Sequence, residues 1–230
     1  MKKLLIVHNF YKDFGGEDSN IHEELAYFKK DYEVDFFYEK NKSFLNLFDI
    51  LSFFIRSNIT TNRKFKETLN KFKPDVVYIH NTWFKVNLGI FDVLKKKKVK
   101  VILKIHNFRY ECGRHFLAKN HLSNRHKCDA CGFSNPYFFF LNKYYSESYV
   151  KSFFLFLYSL KYFKIIKYYP ITLLAVNSFH RQKLIESGID QEKIKIFNNP
   201  INFQNYPKGN KSSSIVYAGR VSKEKGVEEL

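Results

Sequence analysis

The sequence predicts an α/β fold: a Rossmann-like parallel sheet with helices on both faces. Short apolar runs such as Leu4-Leu5-Ile6-Val7 and Val76-Val77-Tyr78-Ile79 recur along the chain. Stretches with helical spacing separate them. Histidine or asparagine sits at or just past the ends of several runs, as at His8, His80, His106 and Asn177. Strands alternating with helices imply a parallel sheet buried on both faces. In such sheets ligands bind beyond the carboxyl ends of the strands.

The first strand covers residues 4–7, and Gly15-Gly16 lies in the loop after it. Asp18-Ser19-Asn20 offers capping side chains for a helix through Ile21, Leu25 and Phe28. Residues 34–37 form the second strand. Residues 44–72 read as helical, with an interruption at 58–62. Pro74-Asp75 opens a third strand over 76–80, a helix ends through 90–94, and residues 99–105 make the fourth strand. An aromatic helical region spans 137–169. A strand follows at 173–177, Ser178 caps a helix through Leu184 and Ile185, and residues 194–197 form another strand. Residues 198–214, with Pro200, Pro207 and Gly209, read as a polar linker. Ile215-Val216-Tyr217-Ala218-Gly219 then reads as a short buried strand, turning through Arg220 and a charged loop into a helix start at Val227. That unit cannot bury its own apolar face, so two domains are expected: residues 1–207, and 208–230 as the start of a second.

Composition narrows the function classes. With 45% hydrophobic and 27% charged residues the chain is globular in class. Thirty-nine basic against 22 acidic residues give a net charge of +17. That balance suits an anionic membrane surface or another polyanion, or reflects a generally cationic surface. No helix-turn-helix, RNA-recognition or zinc-finger pattern is present, so nucleic acid is not an expected partner. Three cysteines are an odd count, which argues against a secreted disulfide framework. The apolar run after Met1-Lys2-Lys3 is too short for a signal-peptide core, and no run is long enough to span a bilayer. A cytosolic location follows, with membrane association on the cytoplasmic face left open.

Several residues are candidates for chemistry. Gly15 and Gly16, between a strand and a helix, allow close approach of a phosphate, or mark a tight turn. His106 follows Ile105 directly and can serve as base or acceptor for a sugar hydroxyl; His80 is placed in the same way. His8, His22 and His180 read as structural or solvated. Arg220 and Lys225, five residues apart beside a helix start, suit a diphosphate. Cys112, His115, Cys128 and Cys131 form a Cys-x2-His…Cys-x2-Cys set acceptable for structural zinc. His121 or His126 could instead supply the fourth ligand, and free thiols or a Cys128–Cys131 redox pair are the alternatives. The aromatic region interleaves Phe and Tyr with Lys143, Lys151, Lys161, Lys164 and Lys167. It either lies on an anionic membrane or packs on the sheet with snorkelling lysines.

Taken in order, these motifs resemble glycosyltransferase family 4, retaining enzymes of GT-B architecture. The carriers are Gly15-Gly16-Glu17, Pro74-Asp75-Val76-Val77-Tyr78-Ile79-His80-Asn81 and Lys104-Ile105-His106-Asn107-Phe108-Arg109. Val176-Asn177-Ser178, Leu184-Ile185-Glu186-Ser187-Gly188, Asn199-Pro200-Ile201 and Gly219-Arg220…Glu224-Lys225-Gly226 continue the series. The resemblance implies an acceptor-side Rossmann-like domain facing a nucleotide-sugar domain across a cleft. It places Gly16 against donor phosphate, His106 near the reacting sugar, and Arg220 with Lys225 on the diphosphate. His80, Asn81, Asn107 and Arg109 fall on the acceptor side. The donor would be a UDP- or GDP-linked sugar and the acceptor a glycan or lipid-linked glycan, in cell-surface polysaccharide assembly. No Asp-x-Asp motif occurs, so no metal cofactor is expected for catalysis. The family's paired glutamates, eight positions apart, would fall beyond Leu230. The alternative is a non-catalytic acceptor-binding or membrane-docking module working with a separate donor domain.

Overall fold

The computed structural model of the chain describes residues 1–11, 15–41, 51–52, 55–108 and 148–200, and the single positions 213, 216, 217, 219, 221 and 227. In chain order the elements are β1 (Lys2–Phe10), α1 (Gly16–Phe28), β2 (Tyr32–Lys40), α2 (Ile59–Phe72), β3 (Val76–Ile79) and α3 (Gly89–Lys97). Then come β4 (Lys100–Ile105), α4 (Tyr149–Tyr168), β5 (Ile171–Ala175), α5 (Ser178–Glu186) and β6 (Ile194–Ile196). The strands form one parallel sheet in the order β2-β1-β3-β4-β5-β6. This is the expected α/β, Rossmann-like sheet.

Right-handed crossovers decide which face each helix takes. The chain moves one way from β1 to β2 and the other way from β3 onward. As a result α1 lies on one face, and α2 to α5 lie on the other. Period-two alternation feeds both faces. Leu5, Val7, Val77, Ile79, Val101, Leu103 and Leu173 enter the larger core with Phe65, Phe91, Leu94, Tyr158, Ile165 and Leu184. Leu4, Ile6 and Tyr78 pack with Ile21, Leu25 and Phe28 of α1 in the smaller one.

Several boundaries differ from the sequence expectation, each for a local reason. α1 begins at Gly16, because Asp18 accepts the Gly15 N–H at 3.0 Å and so closes the first turn instead of preceding it. The expected interruption at 58–62 is the start of α2: Asn58 Oδ1 accepts the Thr61 N–H at 3.0 Å. Asn177, not Ser178, caps α5 by accepting the His180 N–H at 2.8 Å. β1 runs on to Phe10, so His8 is buried inside the strand and does not stand past its end. Val216, Tyr217 and Gly219 carry no strand, and Val216 is 83% exposed. The buried strand expected over 215–219 is therefore not formed at those positions; a strand needs a neighbouring ladder to pair its backbone, and none reaches them among the described residues.

The described part of the aromatic region, α4, packs against the sheet. Ser152, Leu155, Tyr158, Ser159, Tyr162, Ile165 and Ile166 form its buried stripe, a helical spacing that faces the core. Lys161 reaches Asp92 of α3 at 2.8 Å. No helix among the described residues is long and apolar enough to cross a membrane.

Candidate functional site

The strand order reverses at β1 and β3, and the crevice beyond their carboxyl ends is the place where open α/β sheets take ligands. Ile6 pairs with Tyr78, and Ile79 with Leu103. Continuing that register sets His8, His80 and Lys104 side by side on the face covered by α1. The inward face of α1 is apolar at Ile21, Leu25 and Phe28, but Asp18, Asn20 and Glu24 are buried there as well. A polar layer therefore lies between helix and sheet, immediately below the crevice.

Glu24 is the centre of that layer. Its Oε1 accepts from Asn20 Nδ2 at 2.6 Å and from Lys104 Nζ. Its Oε2 accepts from the Tyr78 hydroxyl at 2.7 Å and lies 3.3 Å from His80 Nε2. The His80 approach is too bent to meet a strict hydrogen-bond geometry, yet Nε2 is sealed from solvent and has no other partner. Glu24, Lys104 and the His80 ring are fully buried at these contacts. Beside them, His8 Nε2 stands 2.8 Å from Asp18 Oδ1, and both side chains are buried.

Burial and charge act on this layer in opposite senses. Burial pushes the Glu24 carboxyl up, but hydrogen bonds and charge from His80 and Lys104 outweigh it and hold the group at about 2. Burial pulls the His80 pKa below the ordinary histidine value, against the pull of Glu24. His106 falls well below it, through burial and then the neighbouring His80 and Lys104. Burial likewise lowers Lys104, and burial with Glu24 raises Tyr78. At neutral pH Glu24 is thus a carboxylate, and the His80 and His106 imidazoles are neutral.

His106 and Asn107 sit above the layer. His106 Nε2 lies 3.0 Å from His80 Nδ1, with the rings stacked at 5.3 Å and 20°. Asn107 Nδ2 donates to Glu17 Oε1 at 2.5 Å, and the Tyr11 hydroxyl donates to Glu17 Oε2 at 2.7 Å. A small cleft opens between Glu17, His80, Asn81, Thr82, His106 and Asn107. Asn81 is buried and its amide donates to the Asn9 carbonyl at 2.9 Å, pinning the post-β3 loop onto β1.

Gly15 and Gly16 stand at the N-terminus of α1, directly before Glu17, which lines the cleft. Gly15 is extended, and a Cβ on Gly16 would meet nothing within 4 Å. Neither glycine is demanded by backbone strain or by packing. The Gly15 N–H is taken by Asp18, and the first turn carries Glu17 and Asp18, which oppose an anion at a helix N-terminus. Lys104, the one lysine lining the cleft, is matched by Glu24. A diphosphate here needs cations from elsewhere, and the expected ones, Arg220 and Lys225, lie outside the described residues. So do Arg109, Cys112, His115, His121, His126, Cys128 and Cys131. No cluster of three or more His, Cys, Asp or Glu able to hold a metal occurs among the described residues.

Of the residues the sequence singled out, His80, Asn81, His106 and Asn107 come together at the cleft, and Gly15 and Gly16 directly precede Glu17 at its edge. Glu24, Tyr78 and Asp18, and Lys104 as a buried partner of Glu24, were not expected there. Lys104 carried a signal, being the one charge inside the apolar run of residues 101–105. Glu24 lay between Ile21 and Leu25 on the face that had to be buried.

No protein-family model and no curated protein significantly matches the sequence. Among solved structures, UDP-N-acetylglucosamine 2-epimerase from Rickettsia bellii aligns over 86% of this chain and 45% of its own, at 14% identity and a TM-score of 0.45. The chain therefore spans less than half of that enzyme's length. A LacI family transcriptional regulator from Weissella paramesenteroides, with bound glucose, aligns over 82% of this chain and 65% of its own, at 11% identity and a TM-score of 0.33. Neither likeness bears on what this chain does.

Proposed function

We propose that the chain is the acceptor-side domain of a retaining, family 4-like glycosyltransferase that moves a sugar from a UDP- or GDP-linked donor to a glycan or lipid-linked acceptor. One observation carries this reading: three motifs distant in sequence meet at a single crevice. Gly15-Gly16-Glu17, His80-Asn81 and His106-Asn107 are joined there by the Glu17–Asn107 bond at 2.5 Å and the His80–His106 contact at 3.0 Å. In this reading His106 sits against the reacting sugar and Asn107 orients it. Gly16 leaves room for phosphate, and Arg220 with Lys225 meets the charge of the departing nucleoside diphosphate. Residues 208–230 open the donor-side unit, and an anionic membrane surface is a further partner for the +17 chain.

Titrating UDP-glucose and GDP-mannose into the ¹⁵N-labelled protein tests the reading. Millimolar donor should shift the amides of Gly16, His106 and Asn107 and leave those around Lys95 and Ile171, at the opposite end of the sheet, unchanged. Gly16→Ala should keep its melting temperature or gain slightly, by at most about 1 kcal/mol, because alanine is the better helix former and its methyl meets open space. The same substitution should erase the donor-induced shifts. Donor-induced shifts confined to other parts of the chain, or none at all, would remove the proposal.

The cysteine set has its own test. With Cys112, His115, Cys128 and Cys131 as ligands, purified protein should contain about one zinc per chain, as a single four-ligand site implies. Cys128→Ser should lose the metal. Metal-free, folded wild-type protein would instead leave the thiols structural.

A further inference from the structure

We infer that Glu24, acting through His80, fixes the tautomer of His106, so that His106 meets its ligand as a hydrogen-bond acceptor. The inference rests on the reading of His106 as the group that touches substrate, and deepens it by assigning the positioning residues behind it.

An ionised carboxylate accepts only, at about four sites. Glu24 receives Asn20 and Lys104 on Oε1 and Tyr78 on Oε2, which leaves one Oε2 position, and His80 Nε2 lies 3.3 Å from that oxygen. Two facing lone pairs sealed from water would repel, so Nε2 of His80 carries the hydrogen. His80 is neutral, and its Nδ1 is therefore bare. His106 Nε2 lies 3.0 Å from that bare nitrogen and has to donate to it. His106 is also neutral and has one ring hydrogen to give. That hydrogen is committed inward, and Nδ1 is left as a lone pair. Among the described residues Nδ1 makes no hydrogen bond, and it is not among the atoms sealed from solvent.

The reversed chain of donors would place an N–H of His106 at the cleft and a bare His80 nitrogen against a carboxylate in a low-dielectric layer. Burial makes that mismatch expensive, because an unpaired buried acceptor has no water to turn to. The consequence is chemical selectivity. His106 accepts from a hydroxyl, such as that of a sugar, and repels the oxygens of a phosphate. Glu24 and His80 touch no ligand in this arrangement and act as positioning residues.

Long-range ¹H–¹⁵N correlation of the imidazole rings reads the tautomers directly. In the wild-type chain at pH 7, both His80 and His106 should give the pattern of a protonated Nε2 and an unprotonated Nδ1. A protonated Nδ1 on His106 overturns the inference without any variant. Glu24→Gln can turn its amide N–H₂ toward His80, so the two nitrogen shifts of His106 should exchange. Should that variant fail to fold, His80→Phe cuts the link and keeps Glu24 on Asn20, Tyr78 and Lys104; His106 should then show a mixture of tautomers. A folded variant of either kind that keeps His106 wholly in the wild-type form overturns the assignment of Glu24 and His80. The proposed function can fail separately: absence of donor-induced shifts leaves these tautomers as they are.

Discussion

Glu24→Ala is expected to lower the stability of the fold by about 3–5 kcal/mol, the cost of breaking a buried ion pair from one side. The substitution strands the Lys104 ammonium, which is fully buried, and removes the acceptor for Tyr78 and Asn20. Against a total of about 5–15 kcal/mol for a domain, that is a large share of the fold's stability. Urea denaturation checks this. The double variant Glu24→Leu/Lys104→Met should be less damaged than Glu24→Ala, since removing both charges leaves no orphan. A midpoint for Glu24→Ala close to that of the wild type would contradict the account of the polar layer.

The same layer gives the pH dependence its sign. Glu24 titrates at 4.5 when unfolded and at about 2 when folded, so between these values the unfolded state binds more protons. Stability from this group, on the order of 3 kcal/mol, is present above pH 4.5 and is lost as pH falls toward 2. His80 and His106 lie below 6.5 in the folded state. The unfolded chain therefore takes up their protons first as pH drops below 6.5, which also favours unfolding. Acid denaturation should begin near pH 6 and steepen below about 4.5.

The sheet was legible in the sequence because each strand is a short apolar run ended by a polar residue, and all six expected runs up to residue 197 became strands. The crevice was legible because His80 and His106 follow β3 and β4 directly, and parallel register then makes them neighbours. The layer beneath was harder to read. Lys104 and Glu24 are 80 residues apart, and only the crossing of α1 over β3 and β4 brings them together. Helical spacing puts Glu24 on the face of Ile21 and Phe28, which marks it for burial but names no partner on β4. The caps of α1 and α5 were misplaced by three residues and by one, because Asp18 and Asn177 each stand beside other side chains able to cap. The packing of α4 could not be read from composition, since Phe and Tyr occur all around that helix and not on one stripe.

His106 carries the largest expected functional effect. Its ring is held from below by His80, and its free edge adjoins the cleft. Removing it takes no apolar group from the core, so His106→Ala should keep the wild-type melting temperature to within a few degrees. A positioned acid–base or hydrogen-bonding group is typically worth about a hundredfold or more in rate. His80→Ala should leave a smaller direct effect on chemistry but cost stability, because it opens the buried layer beside Glu24. Arg220→Ala and Lys225→Ala should weaken donor binding and turnover together, by about 3 kcal/mol each.

The most direct measurement is therefore the rate of sugar transfer, followed as release of the nucleoside diphosphate, for wild type and His106→Ala in the presence of the donor-binding domain that the proposed function requires. A loss of about a hundredfold or more is expected in a variant whose unfolding curve overlays that of the wild type. Near-normal turnover across the pH range in a folded His106→Ala protein would contradict it.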